Sequence, residues 1–288
     1  MKPTKKTKLQ DLCTGLRRHP WRTLVIAFAA FSVLWTLTEA ITHFLPCVKI
    51  EGGYALSIII VVSILYSLNR IWKPSAVSVK VATTSTVIDV IFGDLFAQDG
   101  LKAIAVTEFF ESELGTPVSD KSLHGIFLKK CFGGGVQAFD KQVNEQLKGL
   151  QFTPAPATKS EGKNKSFPIG TTSLIKVDAA PYIVFALAKA EPVWCKAYSD
   201  VTMMWTAMHK LWERARVESG GHPLNLPLIG SGLSGIGLPT RDLLNLIILS
   251  AITETKARQI TRRIRIILHP DRFEEIDLRD VKQHWEDI

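Results

Sequence analysis

The sequence predicts an α/β domain of three layers, in which helices cover both faces of a mixed sheet, preceded by a two-helix transmembrane hairpin. Strand-like apolar runs alternate with amphipathic helical segments over residues 77–288, a pattern typical of such a sheet. Two apolar runs of membrane-spanning length lie within residues 24–73. Because 46% of the residues are hydrophobic, the chain has enough apolar surface for a packed core, which excludes a disordered protein.

The first apolar run extends over residues 24–45, and Glu39 is its only formal charge. A helix of that length measures roughly 33 Å, enough to cross a hydrocarbon core of about 30 Å. The second run, residues 54–68, reaches about 20 residues when Gly52–Gly53 and Ile71–Trp72 are included. A cleavable signal peptide is disfavoured because the first run is too long for its apolar region. The remaining alternative is a buried helical hairpin of a soluble protein.

The positive charges indicate how the hairpin is oriented. The formal net charge is +8; residues 1–80 contain 11 Lys/Arg and 3 Asp/Glu, whereas residues 81–288 contain 24 of each. The basic flanks, residues 1–23 and 70–80, lie on one side of a two-helix hairpin, and such flanks stay in the cytoplasm. We therefore expect a multi-pass protein of the cell (inner) membrane, with a basic cytoplasmic tail at 1–23 and with both termini and the domain 77–288 cytoplasmic.

The same distribution of charge bears on partners. A nucleic-acid-binding domain normally presents a basic face, so the formally neutral residues 81–288 disfavour nucleic acid. Anionic headgroups of the lipid bilayer are the expected partner of the basic flanks. A negatively charged ligand of the domain is expected to bind backbone amides and not a basic patch.

Glu39 admits two interpretations. An acid at the bilayer centre costs on the order of 2.5–3.5 kcal/mol on insertion scales, so its carboxylate needs a polar environment. Glu39 lies about two-thirds along the run and can approach the far interface. Alternatively it faces other helices or water in an oligomer and lines a conduction path. The polar residues that would line this path with it are Ser32, Thr36, Thr38 and Thr42.

The elements of the domain are predicted from apolar periodicity and from helix and turn signals. Strands are predicted at 86–92, 101–106, 169–177, 182–188, 224–229 and 263–268, and helices at 137–147, 200–218, 240–259 and 278–286. The run 182–188 is almost wholly apolar and is therefore expected at the centre of the sheet. Residues 151–165, rich in Pro, Lys and Ser, predict an exposed and mobile loop.

The cysteines indicate a reducing compartment. Cys13, Cys47, Cys131 and Cys195 are far apart and form no CxxC pair. Neither a disulfide framework nor a metal site is therefore predicted.

The most informative motif is the glycine-rich segment GSGLSGIG at residues 230–237, which follows a predicted strand and precedes a predicted helix. Glycines let the backbone approach a ligand closely, and consecutive amides before a helix form a site for phosphate or pyrophosphate. The segment lacks the Lys-Ser/Thr of a P-loop and lies too late in the domain for a dinucleotide fingerprint. A purely structural loop is the alternative.

Two segments resemble macro domains. Residues 224–239, LNLPLIGSGLSGIGLP, resemble their second ligand loop, and residues 87–106, VIDVIFGDLFAQDGLKAIAV, resemble their opening strand, Gly-Asp turn and second strand. Macro domains bind ADP-ribose and related nucleotides. The resemblance implies that Asp94 accepts a hydrogen bond from the adenine amino group beside the Leu95 amide, and that the glycine loop holds the diphosphate and distal ribose. The loop residues so assigned are Ser231, Gly232, Leu233, Ser234, Gly235, Ile236 and Gly237.

The chain also departs from the macro-domain pattern. Hydrolytic macro domains carry an Asn-Ala-x-Asn segment after the second strand, where residues 106–110 read VTEFF. We therefore expect no catalytic residue and a binding protein in place of an enzyme; the alternative is a membrane-tethered ADP-ribosyl hydrolase or a reader of ADP-ribosylated protein. In place of the first ligand loop stand Ser122, His124 and Gly125, with residues 131–135 as a second candidate. His124 either contacts the ligand or is a solvated loop histidine.

Together with the two spans, the segments SLHG, FPIGT and IGSGLSGIG resemble the macro-domain effector of the type II Thoeris anti-phage system. The resemblance implies that a TIR-domain protein makes an ADP-ribose-derived second messenger, histidine-ADP-ribose in that family, on sensing phage. It further implies that the macro domain binds this nucleotide without a cofactor. By the same resemblance, the membrane segments are expected to form a homo-oligomer and disrupt the membrane, which results in abortive infection.

Overall fold

The computed structural model describes residues 8–45, 52–133, 135–178, 180–232 and 235–286. The chain divides into two compact units. One contains the residues before Ala76 together with Asp277–Arg279, and the other contains Ala76–Ile276 and the residues from Asp280 onward.

The helices and strands are numbered in chain order. The helices are α1 (Lys8–Arg18), α2 (Pro20–Phe44), α3 (Gly52–Ile71), α4 (Leu123–Phe132), α5 (Val136–Leu147), α6 (Val201–Glu218), α7 (Thr240–Ala257) and α8 (Leu278–Trp285). The strands are β1 (Ala76–Lys80), β2 (Val87–Phe92), β3 (Leu101–Thr107), β4 (Thr153–Pro154), β5 (Lys165–Ser166), β6 (Thr172–Val177), β7 (Ala180–Ala190), β8 (Ala197–Tyr198), β9 (Leu224–Pro227) and β10 (Arg263–Leu268).

The N-terminal unit contains the two predicted apolar helices, α2 and α3, which are long and apolar enough to cross a membrane. The Ser67 hydroxyl of α3 donates to the Thr23 carbonyl of α2 at 2.8 Å, so the two helices pack against each other. α2 begins at Pro20, four residues earlier than predicted, because proline fits the first turn of a helix. Residues 8–18 of the predicted basic tail form α1, whose Gly15 packs against Ile71 of α3.

The larger unit contains the mixed sheet, and this confirms the predicted fold class. The strand order is β1-β2-β10-β9-β3-β7-β6, and β8 pairs with β7. The five strands β2, β10, β9, β3 and β7 are parallel to one another, whereas β1, β6 and β8 pair antiparallel. The carboxyl ends of the five parallel strands therefore lie along one edge of the sheet.

Helices cover both faces of this sheet. On one face Phe127 of α4 and Phe139 of α5 are fully buried in a cluster with Ile104 of β3. The other face is covered by α6 and α7, where the buried Trp212 indole donates to the Ser250 hydroxyl at 2.7 Å. β7 is almost continuously buried because helices on both faces cover it, but it lies next to the edge strand β6 and not at the centre of the sheet as predicted.

The segment predicted as a free loop, residues 151–165, is anchored. It is exposed over most of its length, but its two ends pair as β4 and β5. Lys159 in its middle is buried against Glu111, at an N–O distance of 2.7 Å. The composition of the segment gave no sign of this contact, because the partner lies 48 residues earlier in the chain.

Candidate functional site

A cleft of about 1360 Å³ opens at the carboxyl ends of the five parallel strands. Ligands of open α/β sheets bind at this edge, because the loops that leave the strands converge there. The walls come from the segments after β2, β10 and β9, from the last residues of β3 and β7, and from the turn before α4. The sequence-predicted residues that line the cleft are Asp94, Leu95, Ser122, His124, Ser231 and Gly232.

Asp94 lies directly after β2, at one end of the cleft. One carboxylate oxygen accepts a hydrogen bond from the Phe96 amide at 2.9 Å and begins a short 3-10 turn. The other oxygen lies 3.3 Å from Nζ of Lys130, and both side chains are about half exposed. The amide of Leu95 donates to no residue that the structure describes. This end therefore presents a carboxylate oxygen and a free amide side by side.

The glycine loop follows β9, the central strand of the five. Gly230 has a φ of 82°, and a Cβ there would lie 2.5 Å from Cδ1 of Ile236, which folds back beneath the loop. The Ile236 amide donates to the Gly230 carbonyl at 3.1 Å and closes this turn. The amides of Ser231 and Gly232 make no hydrogen bond with any described residue, so they remain available to a ligand.

The remaining predicted loop residues have other positions. Gly235, Ile236 and Gly237 lie outside the walls of the cleft, and Ile236 supports the loop from below. Leu233 and Ser234 lie outside the described residues. The structure thus brings the start of the predicted loop, and not its end, to the cleft.

Arg272 braces the glycine loop from the segment after β10. Its Nη2 donates to the Ser231 carbonyl at 3.3 Å, and its Nη1 contacts the Glu275 carboxylate at 2.9 Å. Glu275 also accepts from the Thr240 hydroxyl, at 2.6 Å, where α7 begins. The hydrogen bond from Thr240, followed by Arg272, lowers the pKa of Glu275. The brace therefore stays ionised and connects the loop to the helix behind it.

The three residues predicted in place of the first ligand loop belong to the beginning of α4. Ser122 caps the helix, because its hydroxyl accepts from the Gly125 amide at 2.9 Å. Gly125 does not line the cleft; a Cβ there would overlap the Ser119 carbonyl. The segment was expected to be a loop, and a helix forms because the cap and the apolar residues that follow favour one.

His124 is buried and not a solvated loop histidine; only 6% of it is exposed. Its ring lies 5.9 Å from that of Phe139, and its Nε2 atom has no hydrogen-bond partner among the described residues. Burial and, to a smaller extent, the nearby ammonium of Lys163 lower its pKa to about 3. The imidazole at the wall of the cleft is therefore neutral near physiological pH.

The residues after β3 pack into the core or form a buried ion pair. Phe110 is fully buried with a φ of 50°, and its carbonyl accepts from Nζ of Lys163 at 2.6 Å. Glu111 pairs with Lys159 and also accepts from the Lys163 amide at 2.9 Å. Burial raises the pKa of Glu111 despite these partners. Neither Glu111 nor Phe110 lines the cleft.

Several residues of the cleft had no signal in the sequence. Lys130, Trp194, His269 and Arg272 all line it, from three separate parts of the chain. The position of His269 and Arg272 directly after a strand of the sheet was the one feature that could have indicated them. Among the residues that the structure describes, no cluster of three or more His, Cys, Asp or Glu side chains has the arrangement of a metal site.

Comparison with known proteins adds a family and a fold. The family model for the macro domain of Thoeris protein ThsA matches residues 88–269. Solved structures of the Oceanobacillus iheyensis macrodomain, one with ADP and one with MES bound, share 12% sequence identity with the chain at a TM-score of 0.52. They cover 74% of this chain and 98% of their own. A mutant of the same macrodomain with ADPR has a TM-score of 0.51. No curated protein matches the chain.

Proposed function

The chain belongs to the Thoeris ThsA macro-domain family, and from this we propose that it is a membrane-anchored sensor and effector of anti-phage defence. Its macro domain binds an ADP-ribose-derived nucleotide, histidine-ADP-ribose by the resemblance of its motifs. A TIR-domain enzyme makes this signal during infection. The observation that carries the proposal is the cleft. In it the Asp94 carboxylate faces one space with the amides of Leu95, Ser231 and Gly232, which donate to no described residue.

The chemistry of these groups suits the two ends of ADP. A carboxylate oxygen accepts from the adenine amino group, and the neighbouring Leu95 amide donates to a ring nitrogen. Free amides of Ser231 and Gly232 donate to the diphosphate, as backbone groups before a helix commonly do. The Oceanobacillus iheyensis macrodomain, which has the same fold, holds ADP in one structure and ADPR in another.

We propose a binding role without hydrolysis. The position of the catalytic asparagine segment is filled by Phe109 and Phe110, both buried, and the carboxylate of Glu111 is held by Lys159. A hydrolase needs a group that activates or positions water at the ligand, and these side chains face the core. Incubation of the full-length protein with ADP-ribosylated protein tests this: turnover would support the hydrolase, whereas stoichiometric binding without release supports the sensor.

The membrane segments complete the proposed effector. We place α2 and α3 across the cell inner membrane as a multi-pass hairpin, with both termini and the macro domain in the cytoplasm. Along α2, Ser32, Thr36, Glu39 and His43 recur at intervals of three and four residues and so share one face of the helix. No residue of α2 is buried within the chain. A carboxylate exposed to lipid is costly, so in this proposal other copies cover Glu39 in a homo-oligomer.

Ligand binding must favour one assembly over another if it is to open the membrane. We expect liposomes with anionic lipid that contain the full-length protein to release a trapped dye when histidine-ADP-ribose is added. Glu39→Leu should bind the nucleotide normally and release less dye, while Ser57→Ala on α3 serves as the control. Equal release with and without the nucleotide would contradict ligand gating.

The ligand itself is identified by two measurements. Calorimetry of the full-length protein in nanodiscs, titrated with ADP-ribose and histidine-ADP-ribose, is expected to show binding of one or both. Mass spectrometry of the nucleotide released on denaturing protein purified from infected cells identifies the natural signal. No heat with either compound at millimolar concentration would support a purely structural glycine loop.

A further inference from the structure

The cleft extends beyond the residues assigned so far. The parallel strands are ordered β2-β10-β9-β3-β7, so Asp94 after β2 lies at one end and the turn after β7 lies at the other. With neighbouring strands about 4.8 Å apart, the two ends are separated by roughly 19 Å. The volume, about 1360 Å³, also exceeds the roughly 300–1,000 Å³ of an ordinary small-molecule site. Room therefore remains past the glycine loop, which follows the middle strand.

Trp194 forms the wall at this far end. It lies in the turn between β7 and β8 and is 80% exposed. The turn is fixed: the Glu191 amide donates to the Lys196 carbonyl at 2.9 Å, and the Glu191 carboxylate accepts from the Trp194 amide at 2.6 Å. Because this large aromatic side chain lies in solvent on a fixed turn, the protein's own core does not cover its π face.

The order of the groups in an ADP-ribose matches the order of the strands. Adenine at Asp94 and the diphosphate on the glycine loop direct the distal ribose toward β3 and β7. A substituent on that ribose then meets Trp194. Tryptophan binds planar rings by stacking, which contributes about 1–3 kcal/mol for a base on an aromatic side chain. Lys196, which also lines this end, has no ion-pair partner among the described residues and disfavours a positively charged ring.

We infer that Trp194 forms a distal subsite, which selects ADP-ribose derivatives that carry a planar, uncharged or anionic ring on the distal ribose. The inference rests on the proposed function, since it assumes that ADP occupies the first two-thirds of the cleft. It identifies the residue by which the protein distinguishes a substituted nucleotide from ADP-ribose itself.

The test compares ADP-ribose with NADH, which carries a planar, uncharged dihydronicotinamide ring on the distal ribose. Both are titrated by calorimetry into the full-length protein in nanodiscs. We expect NADH to bind about tenfold more tightly than ADP-ribose, a ratio within the range of one stacking interaction. Trp194→Ala should remove this preference and change the affinity for ADP-ribose less than about twofold, and Trp194→Phe should retain most of it.

Trp205→Ala is the matched control, because Trp205 is 42% exposed on α6 and does not line the cleft. Equal affinities of the wild type for the two compounds would overturn the inference and leave the proposed function standing. So would an equal loss for both compounds in Trp194→Ala, since Trp194 would then act on the shared part of the ligand. Failure of the wild type to bind any ADP-ribose compound would instead overturn the proposed function, and the inference with it.

Discussion

The carboxylate of Glu111 and the ammonium group of Lys159 form an ion pair at 2.7 Å in which only 2% and 3% of the respective side chains are exposed. The pair fastens the 151–165 segment over the end of β3. Lys159 also lies 4.5 Å from the ring centre of Phe109, which adds a cation–π contact. The segment after β3 is thus held in place by a buried ion pair and by aromatic packing.

Removal of Lys159 should destabilise the macro domain strongly. In Lys159→Ala the buried carboxylate of Glu111 has lost its main counter-charge, and breaking a buried pair in this way costs about 3–5 kcal/mol. Burial raises the pKa of Glu111, so the folded state tolerates its protonated form better than its charged form. The loss should therefore be smaller near pH 5 than near pH 8. Thermal and urea unfolding of the wild type and of Lys159→Ala at both pH values measure this difference in stability.

The exposed Lys148→Ala provides the control for this prediction, since Lys148 lies at the end of α5 without burial. Its free energy of unfolding should stay within about 0.5 kcal/mol of that of the wild type. A loss in Lys159→Ala that is no larger than this would contradict a stabilising role for the pair.

Asp94→Asn should weaken nucleotide binding. An amide in place of the carboxylate loses a charge-assisted hydrogen bond, worth about 1.5–3 kcal/mol, so the Kd for ADP-ribose should rise roughly 10- to 100-fold. Lys130→Ala should bind as well as the wild type or better, because Lys130 occupies the second oxygen of Asp94 at 3.3 Å. Asp120→Asn is the matched control, as Asp120 forms a similar exposed pair with Lys129 and does not line the cleft. An unchanged Kd in Asp94→Asn would contradict the binding of adenine at this end of the cleft.

Six of the ten described strands were predicted because their cores are runs of apolar residues, whereas β1, β4, β5 and β8 were not predicted. The segment 182–188 became the buried β7, since burial on both faces leaves no polar position in its pattern. The segment 263–268 became β10 although it contains two arginines, and the buried Arg265 pairs with Asp99. α4 was not predicted, because Gly125 interrupts its first turn and only the structure shows that this glycine lets the helix approach Ser119.

The candidate site was predictable only where a local motif carries it. Asp94 and the start of the glycine loop lie at the cleft as the motifs indicate. Trp194 and Arg272 reach the same cleft from turns whose position depends on the order of the strands, and no short stretch of sequence encodes that order. A backbone amide that the fold leaves without a partner cannot be predicted from the sequence either, because every residue type except proline has one.

Gly230→Ala should strain the glycine loop and weaken ADP-ribose binding. The residue has a φ of 82°, and its Cβ would lie 2.5 Å from Cδ1 of Ile236 and 3.3 Å from Leu243. Gly149→Ala is a close control, because Gly149 has a φ of 83° but no atom within 4 Å of its Cβ position. Both variants should lose about 1 kcal/mol from backbone strain, and only Gly230→Ala should lose more stability and ADP-ribose affinity. Equal behaviour of the two in calorimetry and thermal unfolding would show that the loop adjusts without cost.

His124 should make the macro domain sensitive to acid without making binding sensitive to pH near neutrality. Its pKa is lowered to about 3 by burial, whereas an unfolded histidine has a pKa near 6.5. As the pH falls below about 6.5, His124 binds a proton in the unfolded chain but stays neutral in the folded protein. Stability therefore falls toward pH 3, by at most about 1.4 kcal/mol per pH unit from this residue.

The variant His124→Gln removes this titration, so the free energy of unfolding should change less steeply between pH 6 and pH 4 than in the wild type. His222→Gln, at an exposed position, is the control variant. ADP-ribose affinity of the wild type should stay constant from pH 6 to pH 8, because the imidazole is neutral throughout that range. A binding curve that follows a pKa near 6.5 in the wild type but not in His124→Gln would mean that His124 is protonated in the complex, and that its Nε2 serves as a charged donor to the ligand.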